Sequence, residues 1–85
     1  MKLPIIRTIA DYIEENSIDD VEKSISLLEH ISQTRGIKDE ELEIIGELIS
    51  NMSGSLEVTK MIQEGTPKTE ALNGFMKRVI GSIDR

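Results

Sequence analysis

The sequence predicts an all-α fold, namely a compact four-helix bundle of residues 1–85 with a long central third helix. Three observations support this prediction. Apolar residues recur every three or four positions in four segments, and no segment shows the sustained alternation of a β-strand. Turn or capping residues separate these segments. A chain of 85 residues has room for one hydrophobic core, so we expect a single helical domain.

The first helix is predicted from Pro4 to Glu15. Proline is favoured in the first helical turn, where its missing N–H would have no partner in any case. Asn16 and Ser17 mark the end of this segment. Four isoleucines fall on one side of the helix: Ile5, Ile6, Ile9 and Ile13.

Ser17 also begins the second helix, because its hydroxyl can accept a free backbone N–H of the first turn. Asp19 and Asp20 also favour a helix start here, because negative side chains are stabilised at the positive, N-terminal end of the helix dipole. Gly36 is predicted to end this helix in the left-handed conformation, with Arg35 beside it at the negative end. The buried stripe recurs at spacings of three and four: Val21, Ile25, Leu28 and Ile31.

The third helix is predicted to run from Asp39 to about Glu64. The absence of proline favours one continuous helix, although a break at Ser53-Gly54-Ser55 is the alternative. A glycine costs about 1 kcal/mol in a helix interior, which packing can offset. One face carries the large apolar residues Leu42, Ile45, Ile49, Met52 and Leu56.

A second face of this helix carries what we call the small-residue row. Small residues at four-residue spacing allow another helix backbone to approach closely, either inside one chain or between two chains. One four-helix unit offers no evident partner for a second face, so we expect a homodimer whose two-fold axis passes near Ser50. The candidate protein-interaction residues are Gly46, Ser50, Gly54, Val58 and Met61.

The segment Gly65-Thr66-Pro67 predicts the start of the fourth helix. It combines a left-handed stop, an N-cap hydroxyl and a proline at the first helical position. The apolar stripe that follows consists of Leu72, Phe75, Met76, Val79 and Ile83.

Composition argues against several classes of function. The formal net charge is −6 and the pI is near 4.7, which disfavours nucleic-acid binding. Lys68, Lys77 and Arg78, next to the Gly65–Pro67 turn, are the only support for an alternative, a helix-turn-helix transcriptional regulator. Only Tyr12 and Phe75 are aromatic, so a platform for base stacking is missing.

No catalytic residue, cofactor site or metal site is predicted. The chain has no cysteine and one histidine, and His30 projects away from the apolar stripe of its helix. The acids between Asp39 and Glu47 are explained by the start of a helix and by solubility. A small enzyme is therefore only the third hypothesis.

The N-terminal segment does not predict a secretory signal, because Arg7, Asp11 and Glu14 interrupt its apolar residues. No apolar stretch approaches the roughly 20 residues of a membrane-spanning helix. We therefore expect a cytoplasmic protein without membrane contact.

Several stretches resemble a bacterial family of short, uncharacterised helical proteins. These are Lys38–Leu42, Ile45–Met52, Glu64–Pro67 and Ala71–Val79, together with the two ends of the chain. The resemblance implies no established activity and no functional residues. It does suggest a link to thioredoxin and peroxiredoxin genes, and hence an accessory role in thiol-redox homeostasis. Without cysteine, this chain would act there only as a partner.

The function predicted from the sequence is therefore non-enzymatic protein–protein interaction. We expect a small adaptor or regulatory subunit that binds a protein partner the sequence does not identify.

Overall fold

The structure is a computed structural model that describes residues 2–83, with side chains described for residues 2–79. Within these residues the chain forms four helices and no strand, which confirms the all-α fold. The helices are α1 (Leu3–Glu15), α2 (Ile18–Ile31), α3 (Asp39–Gln63) and α4 (Lys68–Ile83). The side chain of Ile83, part of the predicted stripe of the fourth helix, lies outside the described residues.

α3 is the centre of the molecule. It is one uninterrupted helix of 25 residues, so Ser53-Gly54-Ser55 does not break it. The other three helices all pack against α3, and α1 also contacts α2 and α4. The prediction of a long central third helix is confirmed.

The main core lies between α1, α3 and α4. Ile6 and Val58 have no exposed surface, and Ala71, Leu72 and Phe75 complete the buried cluster. α2 contributes only Val21 to the residues that are fully buried. α2 therefore packs against the edge of a three-helix core, along the N-terminal part of α3.

Two buried polar side chains join α1 to α3. The Oδ1 atom of Asn51 accepts the backbone N–H of Lys2 at 2.9 Å, and its Nδ2 atom donates to the carbonyl of Glu47 at 2.8 Å. The hydroxyl of Ser55 lies 2.7 Å from the carbonyl of Asn51 and 3.2 Å from that of Ile6. Buried polar groups require such partners, so these bonds fix where α1 begins on α3.

Capping explains three of the helix ends. The Ser17 hydroxyl accepts the N–H of Asp19 at 3.0 Å, as predicted. The Glu41 carboxylate reaches back to the N–H of Lys38, the residue before α3. Gly65 has a φ of +106°, which confirms the predicted left-handed stop after α3.

The predicted end of α2 was wrong by several residues. α2 ends at Ile31, and Gly36, although left-handed with a φ of +86°, lies in the loop beyond it. The hydroxyl of Ser32 donates to the carbonyl of Glu29, and tight turns follow from Gln33 onwards. α2 therefore ends in this series of turns, several residues before the left-handed glycine.

The start of α4 also differs from the prediction. The carbonyl of Pro67 accepts the N–H of Ala71 at 2.9 Å, and α4 begins at Lys68. Pro67 therefore occupies the N-cap position that was predicted for Thr66, and Thr66 precedes it. Among the described residues, the Thr66 hydroxyl caps no first-turn amide.

The molecule is flat. Its extents are 44 × 35 × 17 Å and its radius of gyration is 13.8 Å, whereas a compact chain of this length would have a radius of about 12 Å. The excess arises because α2 and the N-terminal half of α3 extend beyond the three-helix core. This extension leaves more surface open than a regular bundle does.

Candidate functional site: an apolar face on the α2–α3 hairpin

The small-residue row is divided between the core and the surface. Val58 is fully buried in the core, Gly54 is buried, and Met61 is half-buried against the same core. Gly46 and Ser50 are exposed. Three of the five candidate interaction residues are therefore covered by the chain itself.

The neighbour of the buried part of the row is α4. Gly54 borders a hollow of about 320 Å³ together with Phe75 and Val79. Along Gly54, Val58 and Met61 the structure thus has the internal helix crossing that was the alternative to a contact between chains. Gly46 has open space around it, since no atom lies within 4 Å of where its Cβ would stand.

A different surface carries large apolar side chains that face solvent. Leu27 and Ile44 are 60% and 61% exposed, and Ile31 and Leu48 are each about 37% exposed. All four belong to the α2–α3 hairpin, residues 18–50. We call these four residues, Leu27, Ile31, Ile44 and Leu48, the hairpin face.

On α3 the hairpin face continues the side that α1 covers. Asn51 and Ser55 bond to α1. Ile44 and Leu48 precede these residues by seven positions, which is about two helical turns and returns to the same side. Because α1 begins at Leu3 beside Asn51, no other helix of the described residues covers this side of α3 towards its N-terminus.

On α2 the hairpin face likewise continues the side that meets α1. Ser24 of α2 lines a groove of about 290 Å³ whose other walls include Tyr12 of α1 and Met52 of α3. Ile31 follows Ser24 by two turns on nearly the same side, whereas Leu27 lies about 40–60° from both, on the side away from the buried Val21. Ile31 on α2 and Ile44 and Leu48 on α3 therefore extend the sides of the two helices that meet α1.

The dimensions of this surface suit a segment of secondary structure. The stretch of α3 from Asp39 to Ser50 is about 18 Å long at 1.5 Å per residue. Two packed helices typically lie about 8–10 Å apart, so a surface that α2 and α3 share over this stretch would be about 18 Å long and about 10 Å wide.

The hairpin also carries the net charge of the protein. Residues 18–50 contain nine acidic and three basic side chains, a balance of −6, so the rest of the chain is neutral overall. At 100° per residue, Glu40 and Glu47 border Ile44 and Leu48 on one edge. The nine acids are Asp19, Asp20, Glu22, Glu29, Asp39, Glu40, Glu41, Glu43 and Glu47.

Two of the three cations that supported a nucleic-acid reading are paired within the chain. Lys68 bonds to Asp11 and lies 3.2 Å from Glu14. The hydrogen bond to Asp11, aided by Glu14, raises the pKa of Lys68 above its usual value of 10.5. Arg78 pairs with Glu57 and lies 5.5 Å from the centre of the Phe75 ring. These contacts join α4 to α1 and α3, which removes much of the support for a DNA-reading helix.

The one histidine is exposed near the end of α2, away from the α1-facing side. Among residues with described side chains, no group of three or more histidine or carboxylate side chains converges as metal ligands would. An open hollow of about 410 Å³ lies between α3 and α4, and its polar lining includes Lys60, Glu64 and Arg78.

Across the described residues, no helix combines the length and the apolar character needed to cross a lipid bilayer.

Sequence reasoning missed the hairpin face. Leu27, Ile44 and Leu48 were assigned to no apolar stripe, and this exclusion was itself the available signal. Ile31 was wrongly predicted to be in the buried stripe of the second helix. Large apolar residues that lie off the buried stripe of a helix remain for solvent or for a partner. The sequence pattern predicted the small-residue row as the interaction surface instead, although part of that row packs inside the chain.

Comparison with known proteins gives one match. Neither the curated proteins nor the solved structures contain a significant match to this chain. A family of unknown function, DUF6952, matches residues 1–84. This match covers nearly the whole chain and agrees with the resemblance to short uncharacterised proteins. The chain belongs to this family of unknown function.

Proposed function

We propose that the protein is a non-enzymatic protein-interaction module that docks a partner on the hairpin face. The observation that carries this proposal is the exposure of Leu27 and Ile44, each about 60%, on the two helices of one hairpin. Leu48 and Ile31, each about 37% exposed, lie on the same two helices. Adjoining apolar side chains of this kind commonly mark sites of protein interaction.

These apolar residues contribute little to the fold of the isolated chain. Burial of a leucine or isoleucine side chain is worth about 1.5–3 kcal/mol, and a side chain that stays mostly exposed forgoes most of that gain. The core forms elsewhere, between α1, α3 and α4. A partner that covers the hairpin face would recover the unused burial energy, which is the physical basis for docking.

The position of the face suits an adaptor or a small regulatory subunit. The core and the hairpin face share α3, so a rigid helix holds the docking surface in place. We also propose a cytoplasmic setting, with which the lack of cysteine is compatible. An accessory role in thiol-redox homeostasis rests on the family resemblance alone.

The homodimer stays a prediction. Because Gly54, Val58 and Met61 pack within the chain, a contact through the small-residue row would depend on Gly46 and Ser50. A two-fold axis near Ser50 would bring Glu47 of each copy close to the other copy, and like charges repel at such distances. The row is therefore a weaker contact than the sequence suggested.

Site-specific photo-crosslinking in cells tests the proposed function. A photoreactive amino acid at position 44 is compared with the same group at Glu70, an exposed residue of α4. We expect a discrete adduct with another protein from position 44 alone, and its loss when Leu48→Asp is added. The same adducts from both positions, or none from position 44, would contradict the proposal. An adduct of twice the chain mass would identify a second copy as the occupant.

A further inference from the structure

We infer that the partner segment on the hairpin face is a cationic amphipathic helix of another protein. This inference rests on the proposed function and adds the chemistry of the partner. Three observations carry it: the distribution of charge, the acids at the rim of the face, and the way α1 already lies on the same hairpin.

The distribution of charge favours a basic partner over a second copy. The hairpin, residues 18–50, carries the whole balance of −6, and the remainder of the chain is neutral. Two copies joined face to face would bring these balances together within a Debye length of about 10 Å. A helix with lysine or arginine beside its apolar stripe would instead gain from the same field, both in encounter rate and in pairing.

The acids of α3 stand where one flank of such a helix would lie. Glu40 and Glu47 border Ile44 on one edge of α3, and Glu47 is 46% exposed although Lys2 lies 3.9 Å away. On α2, Asp20 precedes Leu27 by two turns on the same side, and Lys23, which pairs with Asp19, lies one turn before Leu27. An apolar floor with an acidic edge on α3 matches an apolar stripe with cations along the facing edge.

A helical partner fits the surface better than a strand does. The described residues contain no strand, so no sheet edge is present for an added strand to pair with. α1 shows the alternative directly, because it is a helix that lies against both α3 and α2, and its Ile6 packs on Val58 of α3 in the core. A second helix beyond Leu3 would extend this packing over Ile44 and Leu48.

Synthetic peptides of about 18 residues test the inference, a length chosen so that a helix can form. The first peptide has leucines at helical spacing and lysines on the remaining face. In the second, glutamine replaces lysine, and in the third, glutamate replaces it. A fourth has the composition of the first in shuffled order, without an apolar stripe. Binding to the full chain is followed by fluorescence anisotropy at low and high salt.

Two variants of the chain separate the apolar and charged contributions. Ile44→Ser with Leu48→Ser removes apolar surface, and Glu40→Gln with Glu47→Gln removes the rim. The matched control for the rim, Glu64→Gln with Glu70→Gln, makes the same change in net charge outside the hairpin. Circular dichroism and urea unfolding confirm that every variant is folded.

We expect the lysine peptide to bind most tightly, with affinity that falls as salt rises. Removal of the two rim carboxylates should weaken it about twofold to thirtyfold, since each exposed charge pair is worth about 0.2–1 kcal/mol. The Glu64 and Glu70 control should change it less than twofold. Loss of the apolar pair should weaken it more than tenfold, and the shuffled peptide should bind at least tenfold more weakly.

The other outcomes refute distinct claims. If the lysine, glutamine and glutamate peptides bind equally well, and the Ile44→Ser, Leu48→Ser variant abolishes this binding, the claim of a cationic partner is overturned. The docking face is then retained. If the chain is monomeric and no peptide binds in a way that depends on Ile44 and Leu48, the docking face itself is overturned. Self-association that Ile44→Ser abolishes would identify a second copy as the occupant and overturn this inference.

Discussion

Replacement of Asn51 by alanine should destabilise the protein by about 2 kcal/mol. Asn51 has no exposed surface, and its side chain makes one hydrogen bond to the N–H of Lys2 and one to the carbonyl of Glu47. Each bond contributes about 1 kcal/mol net. The void left by the amide group adds about 1 kcal/mol. The higher helix propensity of alanine returns about 0.6 kcal/mol.

Urea unfolding followed by circular dichroism measures this loss. The matched control is Ser50→Ala, one residue earlier on α3 and exposed, which should change the free energy of unfolding by less than about 0.5 kcal/mol. A loss below about 0.5 kcal/mol for Asn51→Ala would show that its two bonds do not anchor α1 on α3. An equal loss for both variants would show that the cost does not come from the anchor, since the higher helix propensity of alanine favours both substitutions.

Three further predictions concern the core, the backbone and the ion pairs. Leu72→Ala in the core should cost about 2–5 kcal/mol in urea unfolding, whereas Leu27→Ala on the hairpin face should cost less than about 0.5 kcal/mol. Gly65→Ala should destabilise by about 1 kcal/mol or more because of its positive φ, whereas Gly46→Ala, with open space around it, should stabilise by about 0.5–1 kcal/mol; the same sign for both in thermal unfolding would contradict this. Lys68→Gln should cost less than about 1 kcal/mol at low salt and nothing measurable at 1 M salt. Because the pKa of Lys68 is raised in the folded state, its contribution to the free energy of unfolding is present below pH 10.5 and is lost as the pH rises through the raised pKa. Loss of this contribution already at neutral pH would contradict the ion pairs as its source.

The sequence predicted the helices better than the surfaces. Periodicity and capping gave the four helices, and the absence of proline gave an unbroken α3 through Gly54. The end of α2 was misplaced because the chain leaves the helix through tight turns at Gln33 and Thr34, before it reaches Gly36. Such ends depend on hydrogen bonds that composition does not rank.

The candidate site depended on tertiary packing and was therefore not predictable in the same way. Gly54 and Val58 looked available because the pattern does not say which helix covers which face. The structure places α4 against them and leaves Ile44 and Leu48 open, since α1 begins only beside Asn51. Where each helix begins on its neighbour is set by buried polar pairs, and a single sequence does not reveal those pairs.

The most direct test of the docking face is NMR mapping of the full, isotope-labelled chain with the lysine peptide. We predict that the largest amide and methyl shift changes lie at Leu27, Ile31, Ile44 and Leu48, and that α4 near Ala71 changes little. Specific intermolecular contacts from the leucines of the peptide to the methyl groups of Ile44 would confirm the location. Shift changes centred on the hollow between α3 and α4, or spread evenly over the acidic residues without methyl contacts, would contradict the account.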